Sequence, residues 1–171
     1  MRSPADKTLI LPRLPAWRAE VRRQNRQLVV TNGCFDLLHR GHVEYLNRAR
    51  AAGDCLLVLV NDDASVRAVK GPDRPIVCEA DRLYMLASLE AVDAVLMFST
   101  PTCTELFRQI VPDVYAKGGD YTEETLVREE YLLLKSQGCR FVFIPFVKGL
   151  STTDNVRRIR ERRPLGSTLD G

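Results

Sequence analysis

The amino-acid sequence predicts an α/β fold in which a doubly wound, five-stranded parallel sheet lies between two layers of helices. Short apolar segments alternate along the chain with longer segments whose apolar side chains recur every three or four residues. This alternation is typical of parallel sheets, because a crossover between parallel strands usually contains a helix. The strand segments are apolar without interruption, which indicates that both of their faces are buried.

Each element follows from a local pattern. The predicted strands cover residues 28–31, 55–60, 94–98, 114–116 and 141–145. The predicted helices cover residues 14–26, 42–53, 64–69 and 125–137, and others begin near 79, 100 and 149. Gly53 is expected to cap the helix before it, and Thr100 is expected to be an N-cap with Pro101 in the first turn. Residues 1–13 are expected to form an extended lead-in.

The composition is that of a single globular domain. The chain has 171 residues, of which 45% are hydrophobic and 27% are charged, and its formal net charge is +3. This charge is too small to argue for nucleic acid. No apolar run is long enough for a membrane span or a signal peptide, so the cytoplasm is the expected location. The five cysteines are widely spaced, which indicates reduced thiols rather than a metal knuckle or a disulfide framework.

The segment Thr31–His42 carries the strongest functional signal. It follows a predicted buried strand, turns through Gly33 and opens an amphipathic helix. A helix N-terminus presents free backbone N–H groups and a positive dipole end, and both favour a phosphate. The only 2 histidines of the sequence lie in this segment. A place suited to binding phosphate is therefore also a place suited to phosphate chemistry.

Polar segments follow three other predicted strands, at residues 61–63, 117–121 and 149–153. The C-terminal ends of parallel strands meet at one edge of a sheet, where ligands bind near the switch in strand order. The sequence therefore predicts a Rossmann-like site that is assembled from four separate parts of the chain.

The motifs in these segments carry a family resemblance. A GxFDxxHxGH pattern is formed by Gly33, Phe35, Asp36, His39, Gly41 and His42, and residues 149–153 read Gly-Leu-Ser-Thr-Thr. The chain resembles the cytidylyltransferase-like nucleotidyltransferases over residues 14–162. Four segments are similar to the heptose-1-phosphate adenylyltransferases: 31–36, 60–65, 70–75 and 117–121. Residues 146–148 lack the Arg-Thr-Glu of the glycerol-phosphate branch, which favours the heptose branch.

The resemblance implies transfer of AMP from ATP to a sugar 1-phosphate, D-glycero-β-D-manno-heptose 1-phosphate, which yields ADP-heptose and pyrophosphate. It implies Mg²⁺ bound with ATP, no protein metal site and no tightly bound organic cofactor, and it suggests a stand-alone enzyme that forms a homodimer. No nucleic-acid or membrane partner is expected. The nucleotidyltransferase domain would cover residues 27–163, after a lead-in and helix at 1–26 and before a tail at 164–171.

His39, His42 and Lys70 are the expected catalytic residues. The acceptor phosphate is already an anionic nucleophile at neutral pH, so the reaction needs positioned cations and hydrogen-bond donors rather than a general base. The two histidines would donate to the α- and β-phosphates; the alternative is that they only cap the helix. Lys70 would close over the triphosphate or the sugar phosphate; the alternative is a solvated surface lysine.

Further residues are expected to bind phosphates. Arg82 opens a helix, where a cation opposes the dipole, so either a bound anion or an ion pair with Glu79 or Asp81 is expected. Ser151 and Thr152 would cap the last helix and also donate hydroxyls to the β- and γ-phosphates.

Asp36 is expected to position its turn rather than to bind a metal. The other expected nucleotide ligands are Asn32, Gly33, Cys34, Phe35, Gly41, Gly118, Gly119 and Asp120, of which the last three would lie near the ribose or base. A simple turn after the strand is the alternative explanation for the two neighbouring glycines.

Two other functions stay open. One is a CTP-dependent cytidylyltransferase that acts on a phosphorylated alcohol or a phosphonate, since base contacts in this fold are largely made by backbone. The other is a non-catalytic nucleotide-binding regulator, which would not need the histidine pair together with Lys70.

Overall fold

The computed structural model describes residues 2–119, 121–145 and 152–161. In this part of the chain six parallel strands form one sheet: β1 (Thr8–Leu9), β2 (Leu28–Gly33), β3 (Cys55–Asn61), β4 (Ala94–Phe98), β5 (Val114–Gly118) and β6 (Arg140–Ile144). The α-helices there are α1 (Pro4–Lys7), α2 (Leu14–Arg23), α3 (Arg40–Arg50), α4 (Asp63–Lys70), α5 (Glu79–Ser88), α6 (Thr104–Ile110), α7 (Arg128–Ser136) and α8 (Thr152–Arg160). None of these helices is long and apolar enough to cross a bilayer.

The strand order is β1-β4-β3-β2-β5-β6. The chain runs outward from β2 through β3 and β4 on one side, and β5 and β6 lie on the other side. The order therefore reverses between β2 and β5, and sheets of this kind bind their ligands in the crevice beyond the C-terminal ends of the strands at such a switch. The predicted α/β class and the Rossmann-like parallel sheet are confirmed.

The prediction of five strands was wrong, because the lead-in also folds. Ser3 and Asp6 form a capping box that starts α1: the Ser3 N–H donates to Asp6 Oδ2 at 2.9 Å, and the Asp6 N–H donates to Ser3 Oγ at 3.3 Å. The chain then adds β1 to the edge of the sheet, where Thr8 pairs with Val95. A strand of two residues is too short to produce a recognisable hydrophobic pattern in the sequence.

The core lies on both faces of the sheet. Successive strand residues point to opposite faces. Leu28 and Val30 pack with residues of α2, α6 and α7, whereas Val29 packs with residues of α3 and α5. Helices therefore cover both faces of the sheet.

Gly53 does not cap α3, which ends at Arg50. A Cβ atom at position 53 would lie 2.7 Å from Val29 Cγ2 and 2.9 Å from the Gln27 carbonyl oxygen. The glycine is needed because the chain passes closely against the start of β2, a contact that only the fold creates.

The predicted helix start at Thr100 and Pro101 was also wrong, since α6 begins at Thr104 with Cys103 as its N-cap. The buried Glu130 of α7 accepts a hydrogen bond from the Cys103 N–H at 2.5 Å. A carboxylate from another helix therefore satisfies this N-terminal donor, and the local capping signal does not decide the boundary.

Candidate active site

The loop after β2 is shaped by a close contact between Gly33 and Phe35. Phe35 has a φ of 47°, in the left-handed region that side chains rarely adopt. A Cβ atom at position 33 would lie 3.0 Å from Phe35 Cε2. The buried Phe35 ring also lies 5.6 Å from the His42 ring, measured between centroids. The aromatic ring thus packs between Gly33 of the loop and His42 at the start of α3.

His39 and His42 lie at the N-terminus of α3, at positions N-cap and N3. The His39 carbonyl accepts from the N–H groups of His42 at 2.9 Å and Val43 at 3.3 Å, but its imidazole makes no capping hydrogen bond. The Nδ1 atoms of both histidines are buried and have no hydrogen-bond partner among the described residues. The capping alternative therefore does not describe these side chains, which keep donor or acceptor capacity for a ligand.

Burial keeps the histidine pair neutral. The two rings stack with centroids 4.0 Å apart and an interplanar angle of 26°. Burial and, to a lesser extent, the neighbouring His39 lower the pKa of His42 to about 4, against the opposing effect of a hydrogen bond with the Leu37 backbone. Burial also lowers the pKa of His39. At neutral pH the imidazoles are therefore uncharged hydrogen-bonding groups next to the positive end of α3.

Asp36 fastens the loop after β2 to the segment before α5. Its Oδ1 accepts hydrogen bonds from the Ile76 N–H at 2.8 Å and the Val77 N–H at 2.9 Å, and its Oδ2 pairs with the Arg74 guanidinium. The carboxylate is buried. Asp36 thus positions a loop some forty residues further along the chain.

Arg82 is wholly buried, and its guanidinium already has partners within the protein. It donates to the carbonyl oxygens of Cys34 at 2.5 Å, Asn61 at 2.8 Å and Val77 at 3.0 Å, and it pairs with Asp63 Oδ1 at 2.8 Å. Arg82 therefore has no exposed surface in this structure, and the expected phosphate contact stays a prediction. Its ion pair is with Asp63 and not with Glu79 or Asp81.

Tertiary contacts explain why the partners of Arg82 were not predicted from the sequence. A cation in the first turn of a helix is unfavourable by itself. Here the carbonyl oxygens of two strand ends and the carboxylate of Asp63, at the start of α4, compensate it. Arg82 holds the loop after β2 against the end of β3.

Lys70 is the exposed last residue of α4, at the entrance to the loop that Asp36 holds. Cys34 in the loop after β2 lies within electrostatic reach of it. Burial raises the pKa of the Cys34 thiol, and the charges of Lys70, Arg82 and Arg74 oppose this rise. Lys70 therefore acts electrostatically on the loop after β2, and its side chain is exposed.

Asn32, at the end of β2, takes part in a polar cluster that the sequence did not reveal. Its Oδ1 accepts from Tyr115 Oη at 2.8 Å and Lys117 Nζ at 2.6 Å, and its Nδ2 donates to Cys103 Sγ at 3.4 Å. Lys117 directly follows a predicted strand, and this position was the sequence feature that could have pointed to it. The neighbouring residues do not distinguish it from a surface lysine. Cys103 is buried, as its helical spacing predicted.

β5 ends at Gly118, and Gly119 follows directly after it. Gly118 lies against Tyr45 of α3, and the Gly119 N–H donates to the Ile144 carbonyl at 2.9 Å. Tyr45 in turn donates to the Ala116 carbonyl at 3.1 Å. These contacts hold α3 against β5 and keep the two glycines at the edge of the crevice, where the predicted ribose or base contact would occur.

The start of α8 lies next to the loop after β2. Thr152 Oγ1 donates to the Leu37 carbonyl at 3.5 Å. The N-terminal ends of α3 and α8 thus come together at the loop that leads into the histidines, where Gly41 occupies the first turn of α3. Asp120, Ser151 and the tail at 164–171 lie outside the described residues. Within the described ranges, no three His, Cys, Asp or Glu side chains form a group that could hold a metal ion.

Fold and site together define an α/β protein with groups suited to a phosphorylated ligand at the switch point of its parallel sheet. Two helix N-termini and two histidines whose Nδ1 atoms have no partner among the described residues come together there, and Lys117 lies near the end of β5. A cytidylyltransferase-like family model matches residues 30–159. The chain therefore belongs to the cytidylyltransferase-like family of nucleotidyltransferases.

Several known proteins are similar to the chain. It is 47% identical over 145 residues to the bifunctional protein HldE of Syntrophotalea carbinolica, a match that covers 85% of this chain and 29% of that protein. The HldE of Methylobacillus flagellatus is 47% identical over 155 residues, which cover 91% of this chain and 31% of that protein. The chain thus spans less than a third of the length of these relatives.

A solved structure also shares the fold. The crystal structure of the lipopolysaccharide core biosynthesis protein from Thermoplasma volcanium superposes with a TM-score of 0.59 and 26% sequence identity. The match covers 72% of this chain and 98% of that one.

Proposed function

We propose that the chain transfers AMP from ATP to D-glycero-β-D-manno-heptose 1-phosphate and releases pyrophosphate. The observation that carries this proposal is the histidine pair at the start of α3, whose buried Nδ1 atoms have no partner among the described residues. The heptose-type motifs and the similarity to proteins named HldE support the choice of nucleotide and acceptor.

The reaction requires little covalent help from the protein. A phosphate oxygen of the sugar 1-phosphate attacks the α-phosphorus of ATP, and the bond between the α-phosphorus and the bridging oxygen breaks. The bridging oxygen keeps the electron pair and leaves with pyrophosphate. The protein must bring two anions together and stabilise the charge that moves to the leaving group.

The described residues can meet both needs. His39, His42 and the N-termini of α3 and α8 would donate hydrogen bonds to the nucleotide phosphates. Lys70 would move over the phosphates from the end of α4. Mg²⁺ would enter with ATP, held by phosphate oxygens and water, as this cation commonly is.

A nucleotide-by-acceptor screen tests the proposal. The protein is incubated with Mg²⁺ and either ATP or CTP, together with heptose 1-phosphate, glycerol 3-phosphate or a phosphonate, and pyrophosphate is measured. We expect release with ATP and the β-anomer of heptose 1-phosphate. Release only with CTP and a phosphorylated alcohol would replace the proposal with a cytidylyltransferase. Nucleotide binding without release from any pair would indicate a regulator.

The assembly proposed with this function is a homodimer. Sedimentation equilibrium at micromolar concentration would give twice the mass of the chain, and a concentration-independent monomer mass would refute this part of the proposal.

A further inference from the structure

Lys117 lies at the end of β5, beside β2, where the strand order reverses. Its Nζ donates to Asn32 Oδ1 at 2.6 Å and lies 4.8 Å from the centroid of the Tyr121 ring. The side chain is partly buried. A lysine is thus held at the switch point by an amide oxygen on one side and an aromatic ring on the other.

Asn32 cannot turn away from Lys117 without losing other bonds. The same Oδ1 accepts from Tyr115 Oη at 2.8 Å, and Nδ2 donates to Cys103 Sγ at 3.4 Å. These partners fix which end of the amide faces the lysine. Asn32 is therefore a positioning residue that holds the ammonium group in one place.

The ammonium group is not fully compensated. Among the described residues its one hydrogen bond is to Asn32, and no carboxylate there forms an ion pair with it. Burial lowers the pKa of Lys117, and the nearby Glu130 and the thiols of Cys103 and Cys34 oppose this effect. Glu130 uses Oε1 for the Cys103 N–H. An ammonium group has three donors, and among the described residues one of them forms a hydrogen bond while two tyrosine rings lie beside the group, so an anion can accept from the donors that remain.

Lys117 reaches the crevice from the side opposite to the histidines. Asn32, Tyr115 and Lys117 alternate with residues that face α3, so they share the sheet face that α6 and α7 cover. The histidines begin α3, which packs on the other face. In an in-line displacement the nucleophile and the leaving group lie on opposite sides of the phosphorus.

We propose that Lys117, positioned by Asn32, binds the phosphate of the acceptor. The histidines and helix N-termini then hold the nucleotide phosphates, and Lys117 holds the attacking phosphate on the opposite side. This inference rests on the proposed nucleotidyl transfer and supplies its acceptor subsite, with a phosphomonoester dianion as the ligand.

Two substitutions test the assignment in different ways. Lys117→Met removes the charge. Asn32→Asp keeps the lysine but places a carboxylate at its 2.6 Å contact, so that an internal anion competes with the ligand. Both should raise the KM for the sugar 1-phosphate about 10- to 100-fold, through the loss of a charge-assisted hydrogen bond. Lys117→Met should change the KM for ATP only about twofold. Lys117→Arg should recover part of the loss, and Lys135→Met, at an exposed lysine of α7, is the matched control.

Binding of inorganic phosphate gives a readout that does not need turnover. It is measured by calorimetry on protein saturated with a non-hydrolysable ATP analogue. We expect the affinity for phosphate to fall in Lys117→Met and Asn32→Asp and to stay unchanged in Lys135→Met. If the wild-type protein binds phosphate in this way but releases no pyrophosphate with any acceptor, the proposed function fails while the subsite stands.

Other outcomes overturn the subsite. Equal losses for ATP and acceptor, or a lower melting temperature with unchanged KM values, would make Lys117 a structural partner of Glu130. Phosphate affinity that is unaffected by Asn32→Asp and Lys117→Met would have the same meaning.

Discussion

The imidazole rings of His39 and His42 stack with their centroids 4.0 Å apart. Two positive charges at this separation would repel each other strongly in a partly buried place. Burial lowers the pKa of both, that of His42 to about 4. The pair is therefore neutral before a ligand arrives, and an anionic ligand would favour its protonation.

Stability should fall on acidification because of His42. The unfolded chain takes up a proton on this side chain near pH 6.5, its ordinary value, whereas the folded chain does so only near pH 4. The contribution of neutral His42 is therefore complete above pH 6.5 and is lost progressively as the pH falls to 4. Urea denaturation at stepped pH should show a larger loss for the wild type than for His42→Asn.

Proton NMR provides the direct control, because the chain contains only 2 histidines. Both Cε1 proton signals should titrate below the ordinary histidine range, and nucleotide should move their midpoints upward. Equal slopes of stability against pH in the two proteins would refute the shift for His42.

Loss of the His42 imidazole should lower the turnover rate. His42→Asn removes a donor aimed at charge that develops in the transition state, so kcat should fall about 100- to 1000-fold. Steady-state pyrophosphate release measures this, with Asn47→Ala on the exposed face of α3 as the control. Unchanged turnover in His42→Asn would remove the basis of the enzymatic proposal.

Asp36→Asn should loosen the segment before α5. The amide nitrogen would face the Arg74 guanidinium, and the two backbone donors of Ile76 and Val77 would lose a charged acceptor. We expect faster hydrogen exchange at these two amides and a free energy of unfolding lower by about 1–3 kcal/mol.

The exposed Asp73 supplies the control for this experiment. It pairs with Arg160 at 3.9 Å, and both side chains are mostly exposed, so Asp73→Asn should have little effect. Unchanged exchange at Ile76 and Val77 in Asp36→Asn would contradict the role of Asp36 as an anchor.

Arg82→Met should reduce stability more than substrate affinity. It leaves Asp63 and three carbonyl oxygens without their donor, a loss of about 3–5 kcal/mol by analogy with broken buried ion pairs. Urea denaturation checks this, with the exposed Arg67→Met of α4 as the matched control. Preserved stability with a weakened affinity for ATP would support the phosphate role predicted from sequence.

Lys70→Met should show the opposite pattern. The side chain is exposed, so the free energy of unfolding should stay unchanged. If the wild-type Lys70 side chain closes over the phosphates, its removal should lower kcat about 100-fold, as removal of other transition-state contacts does. Arg67→Met, one turn earlier on the same helix, again serves as control. Full turnover in Lys70→Met would leave Lys70 as a solvated surface lysine.

The predicted elements that matched best were the uninterrupted apolar strands and the amphipathic helices. The strand predicted at 94–98 is β4, and the strand predicted at 55–60 is β3 with one more residue. Errors arose where a distant residue decided the outcome. Glu130 shifted the start of α6 by satisfying the Cys103 N–H, and pairing with β4 turned two lead-in residues into a strand.

In the candidate active site, too, local features were predicted and features that depend on distant residues were not. The motif from Gly33 to His42 was evident in the sequence, because its residues are contiguous and their chemistry is local. The roles of Arg82 and Lys117 were not evident, because each depends on a residue far away in the chain: Cys34 for Arg82 and Asn32 for Lys117.

By itself the sequence determined the fold class, the family resemblance and the two histidines at a helix N-terminus, since periodicity and contiguous motifs are local properties. Only the tertiary structure decided that a sixth strand forms, that Arg82 bonds to partners inside the protein, and that Lys117 contacts Asn32 where the strand order reverses. The physical reason is that a buried charge acquires its role from the groups that surround it, and those groups come together only when separate segments pack.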